Sequence, residues 1–291
     1  MTIKKLITKK ENPTMMRSSK MNTIENLIYT AVETAEKQGI DMSNCYFDEN
    51  DIPTCRTCGK RKRFRFHGKL IPCQCDCDQK AEEEEKARIK KESRIKQLLE
   101  TGVTDKKYLE NTFDKDDGSN PQLSTKCKKY VEKWREMKKN GIGILFYGDV
   151  GTGKSFFACC IGNALIEKGV PVLITNLSKL VENRVLSNKK GEDAVDLNNF
   201  ALLIIDDLGI ENATQTAYNI VDDWYRTGRP LIVTTNLAPS QLKEAKDIQK
   251  RRIYDRVIEM CGSCPIKVNG EQRRYKISRQ KRELAEILLS D

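Results

Sequence analysis

At 291 residues the chain is about twice the usual size of one domain, which predicts one large domain with a smaller attachment and excludes a peptide hormone or a single small binding module. Hydrophobic residues make up 38%, charged residues 32% and aromatics 7%, enough for a core beneath a heavily charged surface. Lys plus Arg is 52 against Asp plus Glu at 42, a formal charge of +10 that favours a polyanionic partner such as nucleic acid without identifying one. No apolar run approaches the ~20 residues a membrane helix needs, and MTIKKLITKKENP has no apolar segment and cleavage site behind its lysines, so no membrane partner is expected.

Residues 1 to about 50 carry one amphipathic segment, Ile24 to Lys37, with apolar residues at helical spacing and in need of a partner. A cysteine-rich stretch follows. Cys55 and Cys58 form a CxxC, and after fourteen residues come Cys73, Cys75 and Cys77. Crowding on this scale, with no leader in front of it, points to reduced thiolates holding a metal in the cytoplasm. A structural Zn²⁺ takes four ligands, so four of Cys55, Cys58, Cys73, Cys75 and Cys77 are expected to hold it, the second pair being Cys73 with Cys75 or Cys75 with Cys77. Free redox thiols or an iron–sulfur centre are the alternatives. Cys45, Cys127, Cys159, Cys160, Cys261 and Cys264 read as free thiols, and His67, the only histidine, as a loop residue off the metal.

Between the cysteine pairs, Lys60 to Lys69 is basic and interleaves Phe64 and Phe66. That pattern suits phosphate contacts with base stacking on single-stranded nucleic acid, or contact with an acidic protein; the same residues also suit a charged loop over a small core. Gln79 to Glu100, with its EEEE run and lysines, predicts an exposed linking helix.

Composition changes from Lys106. A turn-rich DKDDGSNP leads to a helix over Leu123 to Lys139 and a strand over Ile142 to Tyr147. Helices over Lys154 to about Lys168, Ser178 to about Leu186 and Thr214 to Arg226 alternate with strands over Pro171 to Thr175, Ala201 to Ile205 and Leu231 to Thr235. That rhythm predicts an α/β fold with a largely parallel sheet. A helix over Asp247 to Met260, a hairpin-like region over Pro265 to Ser278 and a closing helix over Arg279 to Leu289 complete the chain.

Gly148-Asp149-Val150-Gly151-Thr152-Gly153-Lys154-Ser155 fits GxxxxGK[ST] between an apolar strand and a helix. Its glycines let consecutive amides, through Phe156 in the first helical turn, face phosphate oxygens of ATP; Lys154 reaches the β and γ phosphates and Ser155 supplies a hydroxyl to Mg²⁺. The apolar strand from Ala201 ends in Asp206 and Asp207, the first placed for the Mg²⁺ shell and the second to polarise the attacking water, with Glu211 a weaker candidate for that task. Asn236, at the next strand's tip, is suited to orienting water or sensing the γ phosphate. Arg252 and Arg256 lie four apart on one helical face and suit either a neighbouring subunit's phosphate or a solvated surface.

The segments GDVGTGKS, LLIIDDLG, LIVTTNL, RRIYDRV and Gly270 to Tyr275, with YLENTFD at Tyr108 to Asp114, resemble the bacterial or phage replicative helicase loaders of the DnaC/DnaI type among the AAA+ ATPases. The resemblance covers about Lys106 to the C-terminus and departs from the family where Gln272 replaces the usual serine. It implies an AAA+ P-loop core at 101–291 behind a helicase-interaction region at 1–100 with its zinc unit near 53–80. It implies ATP hydrolysis stimulated by DNA or a partner, roles for Lys154, Asp206 and Asn236 as above, and a trans-acting finger at Arg256 with Arg252 beside it. The implied partners are a replicative helicase hexamer, single-stranded DNA touched by Lys179, Arg184, Lys189 and Lys190, and further copies of the chain. Close alternatives are a transposition helper ATPase of the IstB type acting on duplex DNA with transposase, a P-loop small-molecule kinase, and a non-catalytic zinc adaptor.

Overall fold

The computed structural model describes residues 44–67, 69–191, 193–209, 214–270, 282–283 and 285–289. The amphipathic segment Ile24 to Lys37, Glu211, Gln272 and the end of the region expected as a hairpin lie outside them. The chain divides into two compact units, Met1–Arg88 and Ile89–Asp291.

In the first unit, β1 (Cys45–Phe47) and β2 (Pro53–Cys55) are antiparallel, with Cys45 opposite Cys55. Their turn is closed by the Asp48 carboxylate, which accepts the backbone N–H groups of Asn50 and Ile52 at 2.9 and 3.0 Å. A second antiparallel pair, β3 (Arg63–Phe66) and β4 (Lys69–Pro72), follows. Lys62 ties these pieces together. Its N–H donates to Pro53 O at 2.7 Å, its carbonyl accepts from Cys73 at 2.8 Å, and its ammonium, 2% exposed, reaches Asp78 at 3.0 Å.

Helix α1 (Asp76–Gly102) contains the division between the units. Residues 81–94 are exposed along it, and charges three and four apart pair as Glu85 with Arg88 at 2.7 Å and Glu82 with Lys86 at 2.6 Å.

In the second unit, α1 ends with Leu98 and Gly102 buried. Gly102 permits backbone contact with the sheet edge, since a Cβ there would lie 2.1 Å from Val172 O. The chain then bridges in parallel at Val103 to Ile174, and α2 (Lys106–Leu109) begins on an Asp105 cap. The helix expected over Leu123 to Lys139 is divided into α3 (Pro121–Glu132) and α4 (Trp134–Lys139) at Lys133, a break that no Pro or Gly marks.

Five parallel strands form the sheet, in the order β6 (Val172–Thr175), β7 (Leu202–Leu208), β8 (Leu231–Thr235), β5 (Ile144–Tyr147), β9 (Pro265–Lys267). Pro265 to Lys267, the start of the region expected as a hairpin, therefore extends the sheet beside β5, a partner strand earlier in the chain and beyond the reach of a local pattern. Successive side chains enter opposite layers. Ile144, Phe146, Val172, Ile174, Leu202, Ile204 and Ile232 pack with α3 and α5 (Lys154–Glu167). Leu145, Leu173, Leu203, Ile205, Leu231 and Val233 pack with α6 (Leu177–Lys190), α7 (Gln215–Arg226) and α9 (Ile248–Cys261). Burial on both faces explains why these strands read as continuous apolar runs. α8 (Pro239–Lys243) connects β8 towards α9.

Candidate nucleotide site and thiolate centre

β5 ends at Tyr147, and the following loop turns on three positive-φ glycines, Gly148 (131°), Gly151 (81°) and Gly153 (100°), conformations closed to side-chain-bearing residues at little cost. Gly148 also needs its bareness for packing: a Cβ would lie 2.7 Å from Val268 O. Gly153 is the N-cap of α5, so the amides of Lys154, Ser155 and Phe156 are among those that a helix leaves without internal partners. Asp149 O accepts the Thr152 hydroxyl at 2.9 Å and the Lys154 ammonium at 2.6 Å, while Gly148 O accepts Lys154 at 2.9 Å. Val150 is exposed at the loop's outer edge.

The carboxylates stand at the end of β7. Asp206 is buried; Asp207 adopts a left-handed φ of 60°, where the β7–β8 register shifts between Ile205 and Leu208. Thr234 Oγ donates to Asp206 Oδ1 at 2.6 Å and accepts the Asp207 N–H at 2.8 Å. Asn236 Nδ2 lies 3.4 Å from Asp207 Oδ1, so the two strand tips converge. Sequence reading passed over Thr234, whose only signal was its place in a strand bound to pair with β7. It also passed over Asn163 of α5, whose amide donates to Tyr108 O and Asn111 O at 2.7 and 2.8 Å and pins the YLEN lead-in to the core. Burial, with Asp206 nearby, pushes the Tyr108 hydroxyl above its usual range.

Arg252 and Arg256 both face α7. Arg252 stacks 4.0 Å from the Tyr218 ring centre and Arg256 4.2 Å from that of Tyr225. Arg256 Nε donates to Asp222 at 3.2 Å, and Asp222 also accepts from Arg226 at 2.8 Å. Those guanidinium groups, Arg226 first, hold the Asp222 carboxyl below its ordinary range.

Of the four cations expected at DNA, Arg184 pairs with Asp223 at 3.1 Å and Lys179 donates to Thr104 O at 3.1 Å, while Lys189 and Lys190 are exposed at the end of α6. At the start of the basic run between the cysteines, Lys60 pairs with Asp76 at 2.6 Å, Arg61 with Asp48 at 2.5 Å, and Lys62 is buried on Asp78. Phe64 is exposed.

The sulfur atoms of Cys55, Cys58, Cys75 and Cys77 lie within 4.8 Å of one another. Tetrahedral Zn–S bonds of ~2.3 Å place sulfurs about 3.8 Å apart, so this set fits a zinc ion. Cys73 stands outside it, its thiol 3.1 Å from Arg61 O, and the second pair brought together is Cys75 with Cys77. The backbone N–H groups of Cys58 and Thr57 aim at Cys55 and lower its thiol to about 6, the thiolate form a metal needs. Burial instead pushes Cys75 up to about 12, a cost that a coordinated divalent cation offsets. His67 is exposed; Cys261, fully buried, donates to Leu231 O at 3.1 Å.

A glycine-rich phosphate loop between β5 and α5, with paired carboxylates ending β7 of the same parallel sheet, whose P-loop strand is flanked by β8 and β9, defines a nucleotide-binding P-loop fold. The family described as IstB-like ATP binding protein matches residues 82–281, more than half of the chain, and the chain belongs to that family. It is similar to the replicative helicase loader DnaI of Bacillus subtilis (strain 168), 23% identical over 91% of this chain and 88% of that protein. To the replicative helicase loader DnaC of Escherichia coli (strain K12) it is 30% identical over 46% of this chain and 56% of that protein. A crystal structure of DnaI matches with a TM-score of 0.44 and 19% identity over 60% of this chain and 96% of that one. Among the described residues no helix is long and apolar enough to cross a membrane.

Proposed function

We propose that this protein is an ATP-dependent loader of a replicative DNA helicase onto single-stranded DNA. The observation that carries the reading is a similarity to DnaI that extends over 91% of the chain, and so reaches beyond the ATPase core into the region of the thiolate cluster. In this reading residues 101–291 are the ATPase domain, and residues 1–100 grip the helicase hexamer through a unit folded around zinc on Cys55, Cys58, Cys75 and Cys77. Loops of this size have little apolar core, and a metal supplies the missing stability.

At the nucleotide, the amides from Gly148 to Phe156 bind phosphate oxygens and Lys154 contacts the β and γ phosphates. Ser155 and Asp206 would hold Mg²⁺, which neutralises charge developing on the phosphates when bound. Asp207 polarises the water and Asn236 orients it, a pairing supported by their 3.4 Å approach. ATP and water become ADP and phosphate. Arg256 serves a neighbouring copy's site, Arg252 helps it, and contact with single-stranded DNA through Lys189 and Lys190 sets the geometry that brings Arg256 in. This work belongs to the cytoplasm.

Turnover by the purified chain, measured with single-stranded DNA, duplex DNA and a co-resident replicative helicase, tests the reading. Stimulation by single strands or helicase, abolished by Lys154→Ala, is expected. Stimulation by duplex alone, with no helicase response, would replace the loader with a transposition helper.

A further inference from the structure

β7 and β8 are adjacent parallel strands, and their tips carry every carboxylate and amide assigned to the metal and water. A carboxylate on its own is a loose tool: its terminal torsion is broad, and a metal shell tolerates only one setting. Something must hold Asp206 still. Thr234 is 1% exposed, and its hydroxyl sits between the two aspartates, 2.6 Å from Asp206 Oδ1 and 2.8 Å from the Asp207 nitrogen.

The direction of both bonds follows from chemistry. The Asp207 N–H can only donate, so the hydroxyl accepts there and its one proton is left for Asp206. A hydroxyl donating to an ionised carboxylate in a buried place is a short, strong bond, and 2.6 Å lies in that range. Oδ1 is thereby occupied, and the rotation that would exchange Oδ1 with Oδ2 is blocked. The same hydroxyl anchors the amide at the left-handed turn of Asp207, where the strand register shifts.

We infer that Thr234 is a positioning residue of the magnesium site, presenting Asp206 to the ion through Oδ2 while setting the turn that aims Asp207. The inference rests on the ATPase reading of Asp206. Its neighbour Thr235 supplies a contrast within the same strand: that hydroxyl donates to the Leu208 carbonyl at 2.7 Å and stitches backbone to backbone without touching Asp206.

The test uses the full-length chain and a fluorescent ATP analogue, titrated with Mg²⁺ present and again in EDTA. Thr234→Val keeps the shape and removes the hydroxyl; Thr234→Ser keeps the hydroxyl. The expected result is that Thr234→Val binds nucleotide in EDTA like the parent but loses about 10-fold of the affinity that Mg²⁺ adds, as supporting partners of metal ligands commonly do. Thr234→Ser should stay within about 3-fold, and Thr235→Val should lower thermal stability with no change in the Mg²⁺ effect. Thr234→Ala provides the same hydroxyl comparison should the valine variant not fold. An unchanged Mg²⁺ effect in both hydroxyl-free variants overturns the inference, as does a serine variant as impaired as valine. A parent chain that binds the analogue equally with and without Mg²⁺ overturns the metal reading of Asp206 itself, a different failure read from a different sample.

Discussion

Arg256 is held from below by Asp222: the guanidinium Nε lies 3.2 Å from the carboxylate, and the ring of Tyr225 covers its face at 4.2 Å. α7 thus shapes a cradle for an arginine that α9 carries, and the side chain remains one-third exposed.

If Arg256 works on a neighbour's nucleotide, two defective chains should repair each other. Arg256→Ala alone is expected to lower turnover about 1,000-fold, the lower side of what such arginines contribute. Mixed with Lys154→Ala, which lacks its own site but keeps its arginine, turnover should return in part. A mixture no more active than its components would remove Arg256 from that role.

The thiolate set predicts an unequal response among five similar cysteines. Zinc measured on the purified chain should be about one per chain, and Cys55→Ser, Cys58→Ser, Cys75→Ser and Cys77→Ser should each lose most of it. Cys73→Ser should keep it, because that thiol lies on the Arg61 carbonyl instead of in the cluster. Loss of zinc in Cys73→Ser with retention in Cys77→Ser would reverse the assignment.

Lys62 and Asp78 are unequally buried, the ammonium 2% exposed and the carboxylate 32%. Asp78→Asn takes a carboxylate from a buried ammonium, whereas Lys62→Met leaves a carboxylate that still meets water. The first should cost more, about 2 kcal/mol against about 1 kcal/mol, since the more buried charge of a pair is the costlier one to deprive of its counter-charge. Hydrogen exchange over residues 44–88 of the full-length chain would rank them, and equal protection in the two variants would contradict the argument.

Gly102 tests the contact between the end of α1 and the sheet edge. Alanine has the higher helix propensity, yet its Cβ would lie 2.1 Å from Val172 O, which belongs to backbone and has little freedom to move. Gly102→Ala is expected to lower stability by ~3 kcal/mol, read as a fall in thermal midpoint. A rise in that midpoint would show that the contact yields easily.

The second unit was legible wherever a signal was local. GDVGTGKS carries its glycines at the positions where φ is positive, and the apolar run before Asp206 is continuous because the strand is covered on both faces. The paired tips of β7 and β8 were half legible: Asp206, Asp207 and Asn236 were visible as residue types at strand ends, but the threonine joining them was not. Its partners lie 27 and 28 positions away, and only strand pairing brings them within bonding distance. Within the basic run, Lys60, Arg61 and Lys62 meet Asp76, Asp48 and Asp78 inside the same unit, pairings that span 13 to 16 positions and that no local pattern shows.

What the sequence by itself determined was chemistry whose parts are adjacent in the chain: the phosphate loop, the alternation of helix and strand, and a surplus of thiols in one place. The tertiary structure alone decided which sulfurs meet, that Pro265 to Lys267 joins the sheet beside β5, and that Asp222 receives Arg256. Those outcomes depend on segments up to 120 positions apart, as Leu145 is from Pro265, being brought together by burial of both sheet faces. Backbone and side-chain periodicity report only which face a residue presents, not what it will find there.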